Sequence, residues 1–215
     1  GGGSRSSRRS PAPPASHRRQ YDLQDFVVGT CNQLAFTAAS EVAAAPGAAY
    51  NPLYVYAGVG NGKTHLLEGV AREIKRSYPS LQVLFLTAET FTNFFTRALT
   101  EKSLPGFRQK FRGYDVLLVD DCDFFEGKKS LQEEFLHTIQ QLESQGRQVV
   151  LTGDRHPRLL TKLSDELVTR FLSGLVCRIE PPSNETRRRV VQRIAQERRL
   201  QVSEGAIDHV TSRFT

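Results

Sequence analysis

Residues 51–65, NPLYVYAGVGNGKTH, set a short apolar run, Leu53-Tyr-Val-Tyr56, directly against Ala57-Gly-Val-Gly-Asn-Gly-Lys63-Thr64. The run reads as a buried strand, and the glycines read as a turn that wraps an anion. A triphosphate needs several backbone N–H donors converging on it, and only a glycine-rich turn supplies them. Gly58, Gly60 and Gly62 let the chain curl, with Val59 and Asn61 between them. Lys63 reaches the terminal phosphates, and the Thr64 hydroxyl holds Mg²⁺. His65 opens the stretch His65-Leu-Leu-Glu-Gly-Val-Ala-Arg-Glu-Ile, a helix whose N-terminal dipole faces the same anion. The plain alternative is a glycine-rich turn without chemistry; the strand before it and the helix after it favour the phosphate loop. Ala57 stands where the pattern usually carries its first glycine, and its methyl group fits there if φ is negative.

The 215 residues suffice for one α/β domain with a real core and a small appendage. No apolar run approaches the length of a membrane span, and no signal-peptide pattern opens the chain. Cys31, Cys122 and Cys177 are far apart and lack metal-ligand spacing, which fits a reduced, cytoplasmic compartment. Methionine is absent throughout, so the chain reads as a fragment. The net charge of +6 is concentrated in residues 1–20, which carry Arg5, Arg8, Arg9, Arg18 and Arg19 and no acid. Removing those five leaves 24 basic against 23 acidic residues, so bulk charge makes no case for DNA binding by the folded part. The arm itself, rich in Gly, Ser, Pro and Arg, cannot bury enough surface to fold. It is either a solubilising tether or a non-specific phosphate contact.

Further along, strands are expected at 83–87, 116–119, 148–152 and 175–179. Helices are expected at 31–44, from the loop to about 78, at 89–99, 131–144, 163–171 and from about 184 to 199. The last is capped by Asn184, and another helix starts after Ser203. Alternating strands and helices mean a parallel sheet covered on both faces, with the site at the carboxyl ends of its strands. Phe91, Phe94, Phe95 and Leu99 recur at helical spacing, which favours core packing over base stacking. Arg187, Arg188, Arg189, Arg193, Arg198 and Arg199 do not form one stripe. Several must be solvated or paired with Glu185 and Glu197, the alternative being a nucleic-acid face with a steep salt response.

Val116-Leu-Leu-Val-Asp120-Asp121 supplies the second half of a nucleotide site. Asp120 at the strand end can accept a Mg²⁺-bound water, and Asp121 can orient or polarise the attacking water. Such a pair can also be a helix cap or a solvated turn; beside a phosphate loop it reads as site chemistry. Asp154, at the tip of the strand 148–152, can reach the γ-phosphate or the water, or merely cap the next segment. Arg170 is either a cation compensating a helix end or an arginine finger.

Over about residues 21–215 the chain resembles the nucleotide-binding domain of the bacterial chromosomal replication initiators, the DnaA family of AAA+ ATPases. The resemblance is carried by Phe26-Val27-Val28-Gly29, Asn32-Gln-Leu-Ala35, Tyr50-Asn-Pro-Leu53, Gly58 to His65, Leu117-Leu-Val-Asp-Asp121, Gln132-Glu-Glu-Phe135 with His137-Thr138, and Pro181-Pro182 with Glu185-Thr-Arg187. It implies a three-layer P-loop NTPase with a parallel five-stranded sheet over 21–182 and the start of a helical lid over 183–215. It implies Thr64 and Asp120 as metal ligands, Asp121 as second Walker B acid, Asp154 as sensor-1 residue, and Arg170 acting on the nucleotide of a neighbouring subunit. Phe26, Val27, Val28 and Gly29 would line the adenine pocket, largely through backbone.

The resemblance further implies ATP and Mg²⁺, slow assembly-dependent hydrolysis and a head-to-tail oligomer. Its partners would be origin DNA, met single-stranded on a central face and as duplex only through a domain after Thr215, and the replicative helicase. The chain departs from the family at Glu166, where an arginine is usual, at Ser130, where a basic residue is usual, and at Thr96, where an apolar one is. Lys128, Lys129 and Arg97 lie near the last two. A regulator or helicase loader acting through protein contacts is the alternative reading. Residues beyond Thr215 separate the two, since an initiator needs a sensor-2 arginine and a helix-turn-helix there.

Overall fold

The computed structural model describes residues 21–213; the arginine-rich arm expected over residues 1–20 lies outside them. Five strands, β1 (Leu53–Tyr56), β2 (Val83–Thr87), β3 (Val116–Asp120), β4 (Gln148–Gly153) and β5 (Leu175–Arg178), form one sheet in the order β2-β3-β4-β1-β5. Every pairing is parallel. The strand carrying the phosphate loop and the strand ending in Asp120 are therefore not neighbours. β4 lies between them and brings its tip to the middle of the site, as expected for Asp154.

Helices α1 (Gln33–Ala44) and α2 (Lys63–Ser77) cover one face; α3 (Ala88–Thr100), α4 (Leu104–Phe111), α5 (Lys129–Ser144) and α6 (Asp165–Leu172) cover the other. Alternation along the central strands assigns each residue to a layer. Leu118 and Val150 pack with Val42, Leu67, Val70 and Ile74, whereas Leu117, Val119, Val149 and Leu151 pack with Phe91, Phe135, Ile139 and Phe171. Both faces being covered explains why β3 reads as an unbroken apolar run.

The phenylalanine-rich stretch is mainly core. Phe91 is fully buried and meets Phe107, Phe111, Phe125 and Phe135 edge-on, with centroids 4.8–6.0 Å apart. Phe95 is buried with it, while Phe94 and Leu99 remain largely exposed.

α4 is a helix for which the sequence raised no expectation, and Leu104-Pro-Gly opens it. Proline is tolerated in a helix's first turn, where its missing N–H has no partner to lose. Phe107 and Phe111, four residues apart, then anchor the helix in the phenylalanine cluster. The cap of α7 (Asn184–Glu197) differs from expectation: the Ser183 hydroxyl, not Asn184, accepts from the Thr186 N–H. A serine just after Pro181-Pro182 has the extended backbone a cap requires. α8 (Glu204–Arg213) folds back on α7 through Arg188, which pairs with both Glu204 and Asp208.

Two polar locks use residues without chemistry of their own. Asn51 accepts from the Val149 N–H at 2.9 Å and donates to the Arg147 carbonyl. The buried Gln132 amide donates to the carbonyls of Phe125 and Lys162 and accepts from the Ser164 N–H. Each spans two chain segments and satisfies backbone groups that burial would otherwise leave costly.

Candidate nucleotide site

Gly60 and Gly62 have φ of +83° and +92°, the left-handed region that side chains avoid, so the loop turns where the sequence placed its glycines. Gly58 does not need that freedom, and Ala57 is not in the left-handed region. The Ala57 methyl is buried and its N–H donates to the Gly153 carbonyl, which ties the loop to β4. The departure from the glycine pattern is thus accommodated. Val59 lies at the exposed crest of the loop. The Asn61 N–H closes the turn on the Gly58 carbonyl at 3.4 Å.

Lys63 is the first residue of α2 and only 6% exposed. Its Nζ donates to the carbonyls of Ala57 at 2.8 Å and Gly58 at 3.4 Å and pairs with Asp154 Oδ1 at 2.7 Å. Burying an ammonium is costly without such partners. The result fixes a cation inside the curl of the loop, beside the N-terminus of a 15-residue helix.

Across the loop, the Thr64 hydroxyl donates to Asp120 Oδ2 at 2.6 Å. The other oxygen of Asp120 accepts from the Thr152 hydroxyl, and that same hydroxyl accepts the Asp121 N–H at 3.1 Å. Thr152 therefore orients both acids at once. The sequence reading passed it over, although its place at the end of the middle strand was the available signal. Asp121 has φ +60°, a strained conformation that aspartate tolerates better than most residues. Partial burial raises its pKa, Asp120 adds to the rise, and Lys63 opposes it. Burial first, and like-charged neighbours second, thus shift this carboxyl toward neutrality.

Asp123 is a second residue the sequence reading missed. It accepts the Asp154 N–H at 2.6 Å and binds Arg155 Nε at 3.2 Å; Arg155 also pairs with Glu126. This network holds the turn that presents Asp154 to Lys63.

The segment carrying Phe26, Val27, Val28 and Gly29 is clamped from three sides. Asn32 accepts the Gly29 N–H at 2.8 Å and donates to the Val27 carbonyl at 3.0 Å. Phe26 stacks on Phe36 and meets His65 edge-on. His65 Nε2 donates to the Asp22 carbonyl and its ring stacks on Tyr21, so this side chain supports the 21–26 segment. From α7, Arg189 donates to the Val28 carbonyl at 2.8 Å and Arg193 pairs with Asp25 and Glu197.

Arg187 bonds the carbonyls of Pro182 and Thr211. Four of the six arginines in that run are thus engaged in holding α7 and α8, and only the pairing with Glu197 matches the two acids named from sequence.

Arg170 is not gathered with these residues. It sits in the last turn of α6, three residues before the end marked by Ser173, and α6 leads into the amino end of β5. The phosphate loop leaves the carboxyl end of β1. Arg170 thus lies toward the opposite end of the strands from Lys63, where its Nη1 pairs with Glu143 Oε2 at 2.7 Å. Glu166 is exposed, as are Thr96, Lys129 and Ser130; Arg97 pairs with Glu101 on its own helix, and Lys128 lies over the Phe124 ring.

The sheet order, the glycine loop opening α2 and the acids at the tip of β3 define a P-loop nucleoside-triphosphatase fold of the AAA+ type. The family model for the bacterial DnaA ATPase domain matches residues 17–178, and the chain belongs to that family. The chromosomal replication initiator protein DnaA of Nautilia profundicola is 41% identical over 204 residues, which cover 95% of this chain and 46% of that protein. Domain III of the Thermotoga maritima replication initiation protein DnaA superposes with a TM-score of 0.87 at 39% identity, covering 94% of this chain and 82% of that one. A replication initiator DnaA bound to AMPPCP and single-stranded DNA superposes with a TM-score of 0.84 at 34% identity, covering 89% of this chain and 59% of that one. The chain spans about half the length of the curated relatives it matches.

Proposed function

We propose that this chain is the ATP-binding and ATP-hydrolysing domain of a cytoplasmic chromosomal replication initiator that assembles head to tail on origin DNA. The observation carrying the reading is the convergence of Lys63, Thr64, Asp120, Asp121 and Asp154 on one glycine loop, from three adjacent strand ends. Loop N–H groups and the α2 dipole would bind the phosphates, with Lys63 exchanging contacts toward the terminal ones.

The residues fit Mg²⁺ arriving with the nucleotide. Thr64 and Asp120 bring two hard oxygens together, and no cluster of three metal-ligating side chains exists among the described residues to form a protein-only cage. Mg²⁺ commonly takes one or two protein oxygens and completes its shell from phosphate and water. It would neutralise phosphate charge there. Asp121 would orient the attacking water and Asp154 would sense the γ-phosphate.

Phe26, Val27, Val28 and Gly29 would receive the base, since α7, the beginning of the lid, already grips them. Arg170, remote from its own loop, would serve the nucleotide of the next subunit, so that turnover depends on assembly. Such fingers contribute about 10³–10⁵ in rate. The AMPPCP- and single-strand-bound relative supports the same nucleotide and DNA for this chain. Contact with the single strand would fall on the central face near Lys128 and Lys129; contact with duplex DNA and the replicative helicase belongs to the whole protein.

The test is a pair of variants in the full-length protein. Lys63→Ala abolishes ATP binding, whereas Arg170→Ala keeps binding and loses assembly-dependent turnover. Retained ATP affinity in the lysine variant would sink the reading.

A further inference from the structure

The pairing of Arg170 with Glu143 has a form that stability alone does not explain. Elsewhere in the molecule a buried glutamate, Glu134, receives Arg108 through Nε and Nη2, so that both of its oxygens are used. Glu143 differs. It is only 14% exposed, it meets Arg170 through Oε2 and Nη1 alone, and its Oε1 is buried with no hydrogen-bond partner among the described residues. An orphaned buried acceptor is costly, and closing the pair bidentately would relieve it. The one-sided contact instead leaves the remaining guanidinium donors of Arg170 to the open groove it lines with Gln140, Asp165, Glu166, Thr169 and Ser173.

The choice of partner points the same way. Glu166 precedes Arg170 by four residues, the spacing of an intrahelical pair, yet it stays exposed while Arg170 turns to another helix. Glu143 lies in the last turn of α5, beside the fully buried Leu142. A partner rooted in the core holds a long, rotamer-rich arginine far more narrowly than an exposed neighbour can.

We propose that Glu143 is a positioning residue for Arg170, holding one edge of the guanidinium so that the other is presented across the subunit interface. This rests on the reading of Arg170 as a finger. Misplacing a reacting group by about 1 Å can cost about 100-fold in rate. In the full-length protein assembled on single-stranded or origin DNA, Glu143→Ala is therefore expected to lower kcat about 10- to 100-fold while the KM for ATP is unchanged. Glu143→Gln, which keeps the size and an acceptor oxygen, is expected to lose less.

The decisive comparison is the double variant. Glu143→Ala added to Arg170→Ala should lower kcat no further than Arg170→Ala alone, because the glutamate acts through the arginine. A merely structural role would instead multiply the two losses, or raise KM along with the fall in kcat. Either result overturns the proposal and leaves the finger intact, as does wild-type kcat in both glutamate variants. If Arg170→Ala itself retains full assembly-dependent turnover, the finger reading fails and the positioning role falls with it.

Discussion

Replacing Thr152 by valine isolates one hydroxyl that holds both acids of the site. Valine matches threonine in shape, so the packing of β4 is preserved and only the polar contacts are lost. Two bonds disappear: the hydroxyl's donation to the Asp120 carboxylate and its acceptance of the Asp121 N–H. A bond to a charged group contributes about 1.5–3 kcal/mol and a neutral one about 1 kcal/mol. Thr152 is only 1% exposed, so water has little access to replace them. Thr152→Val should therefore destabilise the fold by about 2–4 kcal/mol. Thr152→Ser keeps the hydroxyl and loses one methyl group, a cost of about 1 kcal/mol.

Urea denaturation reads the difference as a larger midpoint shift for valine at unchanged slope. ATP turnover should order the same way, since a freed Asp120 no longer faces Thr64 in one orientation. If the serine variant proves as unstable and as slow as the valine variant, the methyl group and not the hydroxyl matters, and the role assigned to the Thr152 hydroxyl is refuted.

Asp121→Asn should leave ATP binding intact and lower turnover by about 10²–10⁴, measured by phosphate release. Because the folded protein raises the Asp121 pKa, it holds that proton more tightly than the unfolded chain does. Wild-type stability should consequently fall as pH rises from the unfolded toward the folded pKa, and denaturation midpoints of the asparagine variant should lack that component. Gly29→Ala would place a Cβ 2.4 Å from Thr186 Oγ1, so Thr186 or the start of α7 must yield beside the 26–29 segment. Weaker ATP binding with the phosphate-loop contacts retained is expected, and unchanged affinity by titration would count against an adenine role for Gly29. Arg193→Ala removes the ion pair to Asp25, and hydrogen exchange should quicken in residues 184–197 before any change in the sheet.

Most of the layering, and the placement of the glycine loop and the strand-end acids, were legible in the sequence because they depend on local rules. A buried parallel strand must be apolar throughout, a phosphate loop must contain glycines where φ is positive, and a carboxylate must end the strand that faces it. What stayed hidden depends on partners distant in the chain. Thr152 and Asp123 lie 32 and 31 residues from the acids they orient, and only Thr152 carried a local hint, its place at a strand end. α4 was hidden by its own proline and became a helix because Phe107 and Phe111 found a cluster assembled from other elements. The α7 arginines carried a mixed signal that only tertiary structure resolved: a charge run became four separate anchors.

On the proposed reading, the two ends of the sheet would let a nucleotide report on assembly. Lys63, Thr64, Asp120 and Asp121 sit at the carboxyl ends of β1 and β3, while Arg170 and Glu143 sit at the amino ends of β5 and β4. Rigid parallel strands separate the two groups, so no side-chain rearrangement can bring Arg170 to its own phosphates. In a head-to-tail stack, however, one subunit's amino-end edge meets the next subunit's carboxyl-end edge. If Arg170 is such a finger, the same strands that keep it from its own loop would fix the distance at which it reaches another subunit. Single turnovers of isolated subunits should then be insensitive to Arg170→Ala, and only the increment produced by adding DNA or raising protein concentration should vanish. An equal loss in dilute and assembled protein would mean that Arg170 acts within its own subunit, against the geometry of the sheet.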